Sequence, residues 1–345
     1  MNRDNQTAIG IAVDASRAQR LPIRSTGQQA ADFAPRHSLQ SASWDQEIRT
    51  IVVLLDGSAQ AEHALPPALA IARRTGASLR LVRAYSHLDD IDPWRFSQAA
   101  ASVKLSRLEK QHYLARIAGK IARIEGLQPE TVLIDSPNTV DALVSGVAGS
   151  DLVVIGSRRR RLASRMWWSN TVDQLRRRLS VPLLLTSAYS SAVDLKSDPK
   201  SRRILVPLDG SVLGQGVLSS AAQLARSYDG ALTLLNVQNE QWSLGLFDHT
   251  SPGSYLMSAA QRLKEAGVDA EAEILTTSRS PGQAIAAYAA SHDVDLIAIA
   301  TRGDGGWSRL MRGSVADYLL RNTKLPILLQ NIPQAVKHPE LTRVS

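Results

Sequence analysis

The chain alternates short apolar runs with longer segments in which apolar residues recur every three or four positions. In the C-terminal half the apolar runs predict five strands, near Ile204–Leu208, Leu232–Val237, Ala270–Thr276, Asp295–Ala300 and Ile327–Gln330. The segments between them predict helices near Val212–Tyr228, Ser254–Ala266, Gly282–His292 and Ser314–Arg321. Near-continuous apolar strands that alternate with amphipathic helices are typical of a parallel sheet covered on both faces. The pattern therefore predicts a doubly wound α/β domain.

The same pattern occurs twice. Arg49–Ser58 (RTIVVLLDGS) returns 153 residues later as Arg202–Ser211 (RRILVPLDGS). Asp151–Gly156 (DLVVIG) returns 144 residues later as Asp295–Ala300 (DLIAIA), so the first copy has nine extra residues, which fall within Asp89–Glu125. We therefore expect two doubly wound, five-stranded parallel-sheet domains in tandem, which together form a pseudo-dimer.

The repeats divide the chain into domains at 46–187 and 201–332, joined by a polar linker at 188–200. The most favourable contact between them pairs the fifth strands, Leu183–Thr186 and Ile327–Gln330, because this pairing covers two sheet edges. Residues 1–45 and 333–345 are polar, lack a sustained period and are predicted to be disordered tails. The absence of a signal peptide, a membrane-length apolar run and cysteine favours a cytoplasmic protein.

A glycine-rich loop follows the fourth strand of the second copy. It begins Ala300-Thr301-Arg302-Gly303 and ends Gly313-Ser314-Val315, where a predicted helix starts. Glycines allow backbone N–H groups to approach an anion closely, and a helix N-terminus adds unpaired N–H donors and a favourable dipole. Open α/β sheets also bind ligands at the carboxyl ends of their strands. On these grounds the loop is a candidate phosphate site.

These motifs, in this order and spacing, resemble those of the universal stress protein family. The pattern G-x2-G-x9-G-[ST] of its ATP-binding members maps to Ala300, Gly303, Gly313 and Ser314, of which three match. The opening motif V-P-x-D-G-S is present as Val206–Ser211. The resemblance covers most of both copies and implies a Rossmann-like fold of the adenine nucleotide α-hydrolase type.

The resemblance also implies which residues contact the nucleotide. Asp209 would contact the nucleoside, the Val237 backbone the adenine, and the glycine loop the phosphates, with Mg²⁺ accompanying the ATP. The complete implied set is Pro207, Leu208, Asp209, Gly210, Ser211, Val237, Ala300, Thr301, Arg302, Gly303, Gly313, Ser314 and Val315. A second interpretation of Asp209-Gly210-Ser211 is a turn followed by a helix cap, because Ser and Asp favour such positions in any protein.

The first copy lacks most of this pattern. Five residues of the second copy's pattern are replaced in the first copy: Gly303 by Arg159, Gly313 by Ser169, Ser314 by Asn170, Pro207 by Leu54 and Val237 by Ala84. The aspartate is kept, as Asp56. An arginine in a loop that needs positive φ is costly. The first copy is therefore predicted not to bind ATP in the family's manner.

Arginine is concentrated in the first copy. Residues 156–180 contain eight arginines and one acidic residue, in a chain of net charge +8. Such a cluster forms either a solvated surface or a face for an anionic partner, such as nucleic acid at Arg158–Arg161 and Arg176–Arg178. Trp167 and Trp168 would stack on bases only if both were exposed. The histidines show no metal-ligand spacing, so no metal site is predicted.

Three functions remain open. The first is a non-enzymatic ATP-binding stress-response or sensor protein, able to form homodimers and acting on a protein partner that the sequence does not name. The second is a nucleotide-free scaffold or interaction protein that uses the arginine-rich face. The third is a slow ATPase, for which the chain has no G-x4-G-K-[ST] motif and no evident nucleophile with its base.

Overall fold

The computed structural model describes residues 18–21, 47–86, 99–158, 170–188, 193–199, 201–239, 252–302 and 315–332. The first copy contains β2 Thr50–Leu54, β3 Ser78–Tyr85, β4 Glu130–Asp135, β5 Leu152–Arg158 and β6 Leu183–Ala188. The second copy contains β7 Arg203–Pro207, β8 Ala231–Asn239, β9 Asp269–Thr277, β10 Leu296–Arg302 and β11 Ile327–Ile332. A short strand, β1 Ala18–Arg20, precedes both copies.

All the described strands form one sheet, in the order β1-β9-β8-β7-β10-β11-β6-β5-β2-β3-β4. Within each copy the pairs are parallel, and the order is third, second, first, fourth, fifth. This order is doubly wound. The predicted fold class is therefore confirmed.

The two copies meet at their fifth strands. β11 pairs with β6 in antiparallel fashion, with Leu328 opposite Leu184. The predicted pairing is thus confirmed, and it turns two half-sheets into one continuous sheet. Because the pairing is antiparallel, the carboxyl ends of the second copy's strands share an edge of the sheet with the amino ends of the first copy's strands.

Helices cover both faces of the sheet. In the first copy they are α1 Ala59–Glu62, α2 Leu65–Thr75, α3 Ala99–Glu125, α4 Thr139–Gly146 and α5 Asn170–Arg178. In the second copy they are α6 Val212–Gln215, α7 Val217–Tyr228, α8 Pro252–Glu265, α9 Pro281–Ser291 and α10 Val315–Asn322. Residues of α2, α3, α7 and α8 form the core on one face, and residues of α4, α5, α9 and α10 form it on the other.

Two helices differ from their predicted form. The segment Val212–Tyr228 was predicted as one helix, but it is divided into α6 and α7 at Gly216, which is the N-cap of α7. Gly214 and Gly216 have low helix propensity, which favours a break at this point. Helix α3 has 27 residues, whereas its counterpart α8 has 14. The greater length of α3 lies within the predicted insertion.

The linker is more closely attached than its polar sequence indicates. Leu195 is buried in the core. The carboxylate of Asp198 accepts hydrogen bonds from Arg74 Nη1 and Nη2, both at 2.6 Å. The Arg74 guanidinium also lies 4.8 Å from the centre of the Tyr228 ring in the second copy. The linker and α2 are therefore fixed to each other and to α7.

We expect Asp198→Ala to reduce the free energy of unfolding at pH 7 by less than about 1 kcal/mol, because the ion pair is largely exposed. The hydrogen bond from Arg74 lowers the pKa of the Asp198 carboxyl. The stabilisation is therefore present above the ordinary carboxyl pKa of about 4 and is lost as the pH falls through the lowered value. Urea unfolding at pH 7 and at acid pH measures the loss, with Glu109→Ala as the control. A loss that did not shrink on acidification would contradict this assignment.

Strand β1 corrects one prediction. Residues 1–45 were expected to be disordered, yet Ala18–Arg20 pairs with β9 in antiparallel fashion. Pairing at a sheet edge uses backbone groups, so a polar segment can form it without any hydrophobic period. Residues 1–17, 22–46 and the tail 333–345 lie outside the described residues.

Candidate functional site

The direction of the strand order reverses between β7 and β10. From β7 the chain proceeds through β8 to β9 on one side, and β10 and β11 lie on the other. At such a switch point the loops after the two central strands separate and leave a crevice at the carboxyl edge. Asp209 follows β7 at this crevice, and Ala300–Arg302 end β10 on its other side. These described members of the predicted nucleotide site therefore lie where doubly wound sheets bind ligands.

Of the thirteen predicted site residues, ten are described. They are Pro207, Leu208, Asp209, Gly210, Ser211, Val237, Ala300, Thr301, Arg302 and Val315. These residues lie at or near the carboxyl ends of β7, β8 and β10 and at the start of α10. The side chain of Arg302 is not described. Gly303, Gly313 and Ser314, the remaining three, lie outside the described residues.

The Asp209-Gly210-Ser211 turn has a structural role. Asp209 Oδ1 accepts hydrogen bonds from the Ser211 backbone N–H at 2.9 Å and from the Ser211 hydroxyl at 2.6 Å. Ser211 Oγ in turn accepts from the Gly214 N–H at 3.0 Å, which caps α6. Gly210 has a φ of +82°, which favours glycine. Asp209 Oδ2 has no hydrogen-bond partner among the described residues, so one carboxylate oxygen remains for a ligand.

Buried polar groups without partners lie around this turn. Gln215 Oε1 on α6 and the Tyr255 hydroxyl on α8 are both buried and form no well-aligned hydrogen bond. Burial raises the pKa of the Tyr255 hydroxyl and the negative charge of Asp209 raises it further, whereas the nearby Gln215 side chain lowers it. The three side chains are therefore close enough to interact. Buried polar groups are normally satisfied, so their lack of partners indicates a missing polar ligand or water.

A second pair of such groups lies on the adjacent strands. Thr301 Oγ1 and Asn331 Oδ1 are buried and unpartnered, and the two residues are direct neighbours in the β10–β11 register. Neighbouring residues in register place their side chains on the same face. The Asn331 amide also donates to the carbonyl oxygens of Arg177 and Leu179, both at 3.2 Å, at the end of α5. Asn331 thus joins the candidate site to the first copy.

Ala300 lies where the family's pattern has its first glycine. The equivalent residue of the first copy is a glycine, and its surroundings can be compared with those of Ala300. At the equivalent Gly156, an added Cβ would lie 2.4 Å from the Gln60 carbonyl oxygen, so α1 packs directly against β5. Ala300 has a Cβ, so α6 must lie farther from β10 than α1 lies from β5. Within α6, Gly214 allows close approach to Asp209, because a Cβ there would lie 2.9 Å from Asp209 Oδ1.

In the first copy, side chains of the protein itself fill the corresponding region. Arg83 occupies the position of Asn236, and its Nη1 would lie 2.8 Å from a Cβ at Gly57. Its guanidinium lies 5.2 Å from the centre of the Tyr113 ring. Arg116 lies over the same ring at 5.2 Å and contacts Glu62 at 3.6 Å. Arg116 therefore neutralises Glu62, and Arg83 lies against Gly57, where the second copy has Gln215 and Asn236. The Tyr113 hydroxyl is buried without a well-aligned partner, as the Tyr255 hydroxyl is, so the two copies differ here in their arginines and not in this tyrosine.

The described arginines of α5 are already paired. Arg176 and Arg177 donate to Asp173 at 2.7 and 3.1 Å, and Arg178 donates to Asp141. Arg158 ends β5 but its side chain is not described, and 159–161 lie outside the described residues, as do Trp167 and Trp168. Among the residues that can be seen, these ion pairs favour the interpretation of a solvated surface at α5 over that of a free anion-binding face.

No group of three or more histidine, aspartate or glutamate side chains is arranged to hold a metal ion within the described part of the chain. The described helices include none that is both long and apolar enough to cross a bilayer.

Comparisons with known proteins agree with this architecture. The Universal stress protein family profile matches residues 47–187 and 200–330. Universal stress protein MJ0531 of Methanocaldococcus jannaschii is 25% identical over 146 residues, which is 39% of this chain and 84% of that protein. The chain therefore belongs to the universal stress protein family. Its two matches make it a tandem member, as the sequence predicted.

Two solved structures show the same fold. A universal stress protein from Archaeoglobus fulgidus superposes with a TM-score of 0.65 at 15% identity and covers 82% of this chain and 98% of its own. The Pseudomonas aeruginosa protein PA1789, described as functionally unknown, gives a TM-score of 0.54 at 18% identity and covers 82% and 92%.

The sequence interpretation missed Gln215, Tyr255 and Asn331. It also missed Asn236, whose side-chain amide donates to the Leu208 carbonyl oxygen at 2.8 Å, next to Asp209. A signal for two of them was present in the repeat. Glu62 and Gln215 occupy the same position in the two copies, 153 residues apart. Tyr113 and Tyr255 each directly precede a buried leucine of the second long helix, Leu114 and Leu256. Asn236 and Asn331 lie within strands, where a polar residue is recognised as important only once its hydrogen bonds are seen.

Proposed function

We propose that the second copy binds ATP at the crevice between β7 and β10, and that the protein is a non-enzymatic, nucleotide-binding stress-response protein. The observation that carries the proposal is the presence of unpartnered buried polar atoms at the carboxyl edge of the second copy, on both sides of the sheet: Gln215 Oε1 and the Tyr255 hydroxyl on the face of α7 and α8, and Thr301 Oγ1 on the face of α9 and α10. Such groups are costly unless a ligand or water satisfies them. In the sequence, the glycine pattern that resembles the family's phosphate site follows directly after β10.

In this proposal Asp209 Oδ2 accepts a hydrogen bond from the nucleoside, because Oδ1 is already held by Ser211. The Val237 backbone, near the end of β8, contacts the adenine. The phosphates bind the loop from Ala300 to Gly303 and the Gly313-Ser314-Val315 segment that leads into α10. Mg²⁺ fits as a companion of the phosphates, with ligands that are mostly phosphate and water.

Binding without efficient catalysis is proposed because of the chemistry of the site. Asp209, Gln215, Tyr255 and Thr301 can orient a ligand through hydrogen bonds, but they do not form a pair of nucleophile and general base. ATP occupancy would satisfy the buried groups and fix the glycine loop. Mass spectrometry of small molecules released from the purified protein tests the proposal directly. Release of no nucleotide, together with no binding of added ATP, would favour a nucleotide-free scaffold.

We expect Asp209→Ala to weaken ATP binding about 10- to 100-fold, the effect of losing a hydrogen bond to a charged group. Isothermal titration calorimetry measures the dissociation constant. The matched control is Asp56→Ala, which removes the equivalent aspartate from the first copy and should leave the affinity unchanged. Equal losses in both variants would contradict the assignment of the site to the second copy.

A further inference from the structure

The outer edge of β9 is covered by the N-terminal strand. Ala18, Gln19 and Arg20 lie opposite Leu275, Ile274 and Glu273. The Leu21 N–H continues the contact by donating to the Ala272 carbonyl at 3.0 Å. Strand β9 has nine residues. The described part of β1 therefore occupies only the middle of this edge.

A buried carboxylate lies at the centre of the contact. The Glu273 side chain is only 3% exposed, whereas Arg20 is 72% exposed. The Tyr288 hydroxyl donates to Glu273 Oε2 at 2.7 Å, and Arg20 Nε lies 3.2 Å from Oε1. Arg20 Nη1 also contacts Glu271 at 3.3 Å. Among the described residues, Arg20 is the cation that neutralises Glu273.

The buried carboxylate makes this edge selective. A buried charge that loses its partner is strongly unfavourable, so the edge needs a cation opposite Glu273 whenever a strand covers it. Strand β4, the outer edge of the first copy, has no buried carboxylate at the equivalent position. Ala84 pairs with Ile134, and Val237 with Leu275, so the counterpart of Glu273 on β4 is Val132. Selectivity for a cation is therefore a property of β9 alone.

The contact with β1 is weak enough to be displaced. Strand β1 pairs with three of the nine residues of β9, so most of the edge is left for further main-chain hydrogen bonds. Its ion pairs with Glu271 and Glu273 come from Arg20, whose side chain is 72% exposed. A longer strand can outcompete it.

We propose that the β9 edge is a docking site for an extended peptide segment that carries an arginine opposite Glu273. Residues 18–21 occupy the site within the same chain and compete with the partner. The partner strand adds to the sheet through main-chain hydrogen bonds, and Glu273 with Glu271 selects its arginine. This site is separate from the β7–β10 crevice, so the proposal stands independently of nucleotide binding.

The test uses the full-length chain and a fluorescent peptide with the sequence of residues 15–23. In Arg20→Glu the segment is repelled by Glu271 and Glu273, which frees the edge. Fluorescence anisotropy is expected to show that the peptide binds Arg20→Glu at least 10-fold more tightly than it binds the wild type. Adding Glu273→Gln to Arg20→Glu is expected to remove this gain.

Two controls keep the test decisive. Arg49→Glu makes the same charge change at an exposed site in the first copy and should bind the peptide like the wild type. A peptide in which the residue corresponding to Arg20 is glutamate should bind none of the proteins, and this result depends on no protein variant. Three results would each overturn the proposal. They are equal binding of the two peptides, equal binding of the first peptide to Arg20→Glu and to the wild type, and no binding of that peptide to Arg20→Glu at millimolar concentration.

Discussion

Gly303→Arg combined with Gly313→Ser is expected to abolish the rise in melting temperature that, under the proposed function, ATP produces in the wild type. The double variant gives the second copy the residues of the first. Arginine replaces a glycine that allows close backbone approach to phosphate, and serine replaces the glycine just before α10. At 100 times its dissociation constant, a ligand stabilises the folded state by about 2.7 kcal/mol, and the variant should lose all of this. Thermal unfolding with and without ATP measures the effect.

The control for this variant is the reverse exchange, Arg159→Gly combined with Ser169→Gly in the first copy. It should leave the response to ATP unchanged, because Arg83 and Arg116 still fill the region beside Tyr113. If the Gly303→Arg/Gly313→Ser protein kept the full ATP-induced shift, the nucleotide would not bind at this loop. The proposed site would then be wrong.

Leu328→Ala is expected to reduce the free energy of unfolding by about 3–5 kcal/mol. Leu328 is fully buried and lies opposite Leu184 where the two copies join. Its removal leaves a cavity between the sheet and the helices on the face covered by α2, α3, α7 and α8, where the surrounding elements cannot close in without disturbing both half-sheets. Urea unfolding followed by circular dichroism measures the loss.

Leu105→Ala is the matched control, since it removes the same atoms from a side chain that is 59% exposed on α3. Its cost should be within about 0.5 kcal/mol. Similar costs for the two leucines would mean that the β6–β11 joint contributes little to stability.

The repeat made much of this fold predictable. Two sets of matching strands at fixed separations imply two similar sheets, and apolar runs such as Ile51–Leu54 and Ile204–Val206 are fully or nearly fully buried as expected. Hydrophobic pattern also led to the β6–β11 joint, because an apolar edge strand needs a cover. These features depend on the burial of apolar side chains, and the positions of apolar residues can be read directly from the sequence.

Features that depend on the backbone or on single polar contacts were not predictable. Strand β1 was missed because edge pairing uses N–H and C=O groups that every residue has. The break at Gly216 was missed because the apolar period of α7 continues on both sides of it. The role of Arg83 was hidden as well, since a strand arginine gives no sign that it will lie against Gly57.

The site was predicted in part. The motifs placed Asp209 just after β7 and Ala300 on β10. These positions lie close together because the carboxyl ends of the two central strands meet at the switch point of a doubly wound sheet. Gln215, Tyr255 and Asn331 belong to other elements, and only the packing of α6, α8 and β11 brings their polar atoms to the same edge. Their contribution depends on three-dimensional contacts between distant parts of the chain.

The joint between β6 and β11 has a consequence for how such a protein can change over generations. In a dimer of identical chains, dilution can separate the halves, and any substitution appears in both at once. Here both halves belong to one chain, so the joint forms at any protein concentration. Each half can also acquire substitutions alone. A single gene can therefore keep one half suited to a ligand while the other loses that capacity and still supports the shared sheet.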